Sequence, residues 1–65
     1  MNRPDREVRF DYKGKVHVGS YTVQGQLLTV YYCMESKSDL LSGTSPEALA
    51  ALLLSELVVE KEKNS

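Results

Sequence analysis

The side chains with most chemistry to offer in this 65-residue chain are one imidazole, His17, and one thiol, Cys33. A nucleophilic cysteine needs a nearby base and a setting that lowers its pKa. If His17 sits opposite Tyr31 on a neighbouring strand, it lies diagonal to Cys33 and within conceivable reach. The plainer alternative is stronger. A lone Cys in a strand usually behaves as a small apolar residue, and a flat sheet face gives no cleft that excludes water. No catalytic residue is assigned, and the chain is not read as an enzyme. One thiol and one imidazole also fall short of a four-ligand zinc site. Asp39 stands alone, while Glu56 and Glu60, four apart on a helix, are expected to be solvated or paired with Lys61 and Lys63. Gly14, Gly19, Gly25 and Gly43 read as turn, bulge or cap residues, not as a phosphate loop. Neither metal nor cofactor is expected.

A second constellation suggests binding. Arg9, His17, Tyr21 and Tyr31 fall on one expected sheet face, and such a row could stack a base or hold a phosphate. The formal net charge of −1 gives no general attraction to nucleic acid or anionic lipid. The glycine-and-aromatic signature of RNA-reading sheets is missing, and cross-strand aromatic and charged pairs stabilise sheets without any ligand. Nucleic-acid or small-anion binding on this face is therefore the alternative reading. The charge is uneven along the chain: Arg3, Arg6, Arg9, Lys13 and Lys15 precede a helix bearing Glu47, Glu56, Glu60 and Glu62. Two solvated faces of opposite sign account for that.

The elements that position these groups follow from hydrophobic period, which changes from two to helical near Ser45-Pro46. Strands are expected over 7–12, 15–22 and 26–34, with a possible short fourth over 38–41 after a polar turn at 35–37. Neither early turn has the Asn-Gly or Asp-Gly pair of a two-residue type I′ loop. Three-residue loops, Tyr12-Lys13-Gly14 and Val23-Gln24-Gly25, are predicted instead. They set Phe10 against Val16, Val8 against Val18, Ser20 against Leu28 and Val18 against Val30. That register gathers Val8, Phe10, Val16, Val18, Leu28, Val30 and Tyr32 on one face. It leaves Glu7, Arg9, Asp11, Lys15, His17, Tyr21, Thr29, Tyr31 and Cys33 on the other. Thr44-Ser45-Pro46-Glu47 opens the helix, either with Ser45 capping and Pro46 in the first turn or as a Thr44–Glu47 capping box. The helix should end near Lys61.

At 100° per residue, Leu49, Leu52, Leu53, Leu54 and Leu57 spread over more than half of the helix, and Ala50, Val58 and Val59 widen the arc. One small sheet normally covers a stripe of only about 100°. A chain this short is near the lower limit for folding alone, and with one cysteine it cannot form an internal disulfide. The surplus points to a homodimer, or to a partner helix, covering Leu49, Leu52, Leu53, Leu54, Leu57 and Val58.

The stretch Ser36-Lys37-Ser38-Asp39-Leu40-Leu41-Ser42-Gly43, continuing through Ser45-Pro46-Glu47-Ala48-Leu49-Ala50 and Leu52-Leu53-Leu54-Ser55-Glu56-Leu57, resembles small uncharacterised bacterial proteins, as do Gly19–Val23 and Leu28–Val30. The resemblance covers most of the chain and implies a bacterial cytosolic origin. It carries no activity and no functional residue.

The sequence thus predicts an α+β domain. An antiparallel meander of three to four strands is followed by one C-terminal helix packed on one sheet face. The domain spans 7–62, with a flexible tail over 1–6 and a frayed end over 63–65. The polar N-terminus offers no apolar signal segment, and Ser55 and Glu56 interrupt the leucine run before it could span a bilayer. A cytoplasmic, non-enzymatic interaction module, away from membranes, is the leading expectation.

Overall fold

Four strands form where the alternating pattern runs, and each turn between them is shorter than the sequence suggests. In the computed structural model, which describes residues 6–63, β1 (Arg6–Tyr12), β2 (Lys15–Gln24), β3 (Leu27–Tyr32) and β4 (Glu35–Leu40) precede α1 (Pro46–Lys63). The strands pair antiparallel in the order β1-β2-β3-β4, and the helix lies across one face of the sheet. The expected fold class is the observed one. Most of the expected tail over 1–6 and most of the frayed end over 63–65 lie outside the described residues. Within them, Arg6 opens β1 and Lys63 closes α1, two residues beyond the expected helix end.

Tyr12 pairs with Lys15, so the first loop is Lys13-Gly14 alone, with φ of 53° and 79°. Two positive φ values in succession are the signature of a type I′ turn. Gln24 pairs with Leu27 around Gly25-Gln26, and Gly25 at φ 60° takes the first central position, as in type II′. The three-residue loops are therefore corrected to two-residue ones. Because each loop loses one residue, β2 alone flips over and β3 returns to its expected phase. Phe10 faces His17 instead of Val16, Val8 faces Gly19 instead of Val18, and Tyr21 takes the place beside Val30.

Packing explains why the flipped register wins. Placing Lys13 in the left-handed region costs about 1–2 kcal/mol. Its ammonium gains the face of Tyr12, 5.4 Å from the ring centroid. The flip also buries Tyr21, only 3% exposed, and an aromatic ring carries more area to bury than a valine. It further sets Gly19 beneath the helix. A Cβ there would lie 2.8 Å from the Tyr31 carbonyl oxygen and 3.1 Å from Leu54 Cδ1, so the bare backbone is what lets α1 approach β2.

The third turn is also displaced. It is Cys33-Met34, at φ 49° and 67°, and not Glu35–Lys37. β4 consequently covers Glu35–Leu40 and pairs fully with β3, from Tyr32–Glu35 to Leu27–Leu40. Its composition is polar because ladder hydrogen bonds, not side-chain burial, hold an edge strand. Thr29 and Ser38 hydroxyls add a bond of 2.9 Å across this pair.

A further tight turn leads into the helix. The Thr44 N–H donates to the Leu41 carbonyl at 2.8 Å around Ser42 and Gly43, both at positive φ. Ser45 then caps α1, its hydroxyl accepting the Ala48 N–H at 3.2 Å, with Pro46 as first helical residue. Val8, Tyr21, Leu28 and Val30 of the sheet form one core with Leu49, Ala50, Leu53, Leu54, Leu57 and Val58 of the helix. No helix among the described residues is long and apolar enough to cross a membrane.

Candidate interaction surface

The helix residues expected to meet a partner meet the chain's own sheet instead. Leu49, Leu53, Leu54, Leu57 and Val58 are all buried within one protomer, and Leu52 alone of the six is exposed, at 53%. The expected surplus rests on a covered stripe of only about 100°, and the sheet covers more of the helix than that. The fourth strand widens the sheet, and Lys37 on β4 reaches Glu56 and Glu60 at 3.2 and 3.0 Å. Those two carboxylates, each about half exposed, therefore pair across to the sheet, where solvation or pairing with Lys61 and Lys63 was expected. Both hold the Lys37 ammonium above its usual pKa, Glu60 the more strongly.

The four residues of the expected ligand row do not share a surface. Arg9 and Tyr31 stay on the face turned away from the helix, Tyr31 at 45% exposure. With β2 flipped, His17 and Tyr21 point to the helix side. Tyr21 is core, and His17 joins an aromatic group at the β1–β2 turn end of the sheet. Phe10 stacks on Tyr12 at 6.0 Å between centroids, Tyr12 leans on His17 at 6.4 Å, and His17 meets Tyr32 edge-on at 5.9 Å. The His17 Nδ1 and the Tyr32 hydroxyl lie 2.7 Å apart, sharing a hydrogen bond. His17 Nε2 is buried with no hydrogen-bond partner among the described residues. Burial raises the Tyr32 pKa, and neighbouring Cys33 and the charge of Glu62 push it the same way. The hydroxyl therefore stays protonated well past neutrality. Cys33 itself is exposed, in a turn and not on a strand. The imidazole is thus held by a phenol on the helix side of the sheet, an arrangement that positions the ring.

What the protomer leaves uncovered is the sheet. On the face away from the helix, Val16 is 62% exposed and Val18 48%, with Leu27, Tyr31 and Leu40 also accessible. Glu7, Arg9 and Asp11 of β1 lie alongside them, and Arg9 pairs with Glu7 at 3.5 Å. Below the point where β3 turns away from β2, Val18, Ser20, Tyr31 and Met34 border an open depression of ≈ 550 Å³. β1 pairs with β2 alone among the described residues, so its other edge is free, and Phe10 and Tyr12 are only partly buried there. The outward valines were missed because the expected register put them inside. The available signal was Gly19: a glycine inside a strand marks a close backbone approach, which fixes the odd-numbered positions of β2 to the helix side.

Comparison with family models, with curated proteins and with solved structures found no match to this chain.

Proposed function

We propose that this chain is a non-enzymatic interaction module that associates with a second copy of itself through its sheet and not through its helix. One observation carries the reading. The helix spends its apolar surface on its own protomer, while the sheet keeps exposed valines on its far face and half-covered aromatic rings along β1. Large apolar patches are uncommon on small monomeric proteins, and a domain of this length gains much from extra burial. A bacterial cytoplasmic setting goes with this reading and rests on the resemblance of the sequence, not on the fold.

Light scattering coupled to size exclusion tests it. The expected mass is twice the 7.3 kDa of the chain. Leu52→Asp, which alters the exposed leucine of the helix, should leave that mass unchanged. A single-chain mass throughout the micromolar range overturns the proposal. Loss of the dimer in the Leu52 variant would return the contact to the helix and overturn it equally.

A further inference from the structure

We propose that two copies join through their β1 edges, antiparallel about a two-fold axis at Phe10, so that two four-stranded sheets become one continuous sheet of eight strands. This deepens the reading that the chain self-associates and depends on it.

The backbone restricts the choice of register. A two-residue turn is closed by a hydrogen-bonded pair, here Tyr12 and Lys15, and such pairs alternate along an antiparallel ladder. The N–H and C=O groups of Val8, Phe10 and Tyr12 therefore point toward β2. Those of Glu7, Arg9 and Asp11 point out from the free edge. A second β1 must bond to these outward residues, leaving three symmetric registers that keep the strands well overlapped. Centring on Arg9 sets Arg9 against its own copy and Glu7 against Asp11, like charges on both counts. Centring on Val8 pairs Glu7 with Arg9 but sets Arg6 against Phe10 and gives Tyr12 no partner among the described residues. It also places at the axis a residue the protomer already buries. Centring on Phe10 pairs Arg9 with Asp11 of the other copy twice over and brings Glu7 opposite Lys13. On the helix side it sets Phe10 against Phe10 and Val8 against Tyr12, covering the two aromatic side chains that the protomer leaves partly open. Charge complementarity and apolar coverage select the same register.

The opposite edge of the sheet does not offer this. β4 carries Glu35, Lys37 and Asp39 at the positions facing the helix side, and inward-pointing charges of this kind discourage strand addition. The helix side of β1 carries one charge, Arg6 at the start of the strand, and beyond it Val8, Phe10 and Tyr12 form an apolar row.

Charge reversal at exposed positions tests the register without touching the core. Arg9→Asp and Asp11→Arg, each alone, should weaken dimerisation about tenfold or more in sedimentation equilibrium, because each places two like pairs across the axis. The double variant restores opposite charges and should return to within about threefold of the parent. Hydrogen exchange gives an independent readout: the Arg9 and Asp11 amides should be protected in the dimer and exchange freely on dilution. A dimer indifferent to both single variants, with those amides unprotected, overturns the β1 register while leaving self-association standing. Disruption by Val18→Asp in place of the charge variants would identify packing of the open faces and overturn it too. A monomer at every concentration overturns both readings.

Discussion

Gly19 marks where the backbone of β2, the carbonyl of Tyr31 and the methyl of Leu54 come closest. Adding one carbon there puts it 2.8 Å from a backbone oxygen that cannot swing aside, so the strands or the helix must move. Gly19→Ala should therefore destabilise by about 1–3 kcal/mol in urea unfolding, against the small gain that alanine brings at an unstrained strand site. A neutral result would mean that the sheet and helix do not approach as described. Titration makes a second residue-level argument. Tyr32 and Lys37 both hold their protons more tightly when folded, above ordinary values of 10.0 and 10.5. The sign is the same for both: stability is intact below pH 10.0 and falls as pH rises through the folded-state values, since the unfolded chain gives up these protons first. Removing either group, by Tyr32→Phe or Lys37→Met, should make the alkaline decline shallower. An unchanged decline in both variants would place its origin elsewhere.

At the scale of elements, strands, helix and order were all legible, because period two and helical period each persist for many residues. Thr44-Ser45-Pro46-Glu47 likewise localised the helix start, and Ser45 is the cap. Turn length was not legible. Lys13-Gly14 has the glycine but not the Asn or Asp before it that a type I′ turn prefers, Cys33-Met34 has neither, and tertiary packing overrides that preference through Tyr21, Gly19 and the β3–β4 ladder. The error at each early loop was one residue, which moved only β2. It was enough to take His17 and Tyr21 out of the expected ligand row and to expose Val16 and Val18. The leucine surplus failed for a different reason: a sheet of three to four strands was expected to cover a stripe of only about 100°, whereas the observed sheet buries Leu49, Leu53, Leu54, Leu57 and Val58 together. These turns predict their own improvement. Cys33 and Met34 both sit in the left-handed region, at roughly 1 kcal/mol or more each relative to glycine. Met34→Gly, at a side chain that packs on nothing, should raise stability by about 1 kcal/mol in chemical denaturation. The helix supplies a paired contrast. Leu54→Ala should cost about 2–5 kcal/mol and Leu52→Ala less than about 0.5, a difference that reports directly which side of α1 is buried.

For the whole molecule, the question is whether one protomer is the stable unit. It has one core, formed by one sheet face and one helix, with no disulfide among the described residues, and domains of this size hold only a few kcal/mol in reserve. Among the described residues nothing covers its far sheet face or its β1 edge, and joining a second copy along β1 would cover the aromatic side chains there without rearranging the core. If folding and pairing are linked in this way, unfolding becomes a reaction of one dimer to two chains, and its free energy depends on protein concentration. A tenfold rise in concentration adds about 1.4 kcal/mol per dimer. Spread over the unfolding entropy of two chains of this length, that raises the melting temperature by roughly 3–6 °C. Calorimetry over two decades of concentration should show this slope in the parent. Arg9→Asp should show a lower melting temperature and a slope that sets in only at higher concentration, because like charges across the axis weaken the association that the slope measures. A melting temperature independent of concentration would mean that the single sheet and its helix already supply the whole margin.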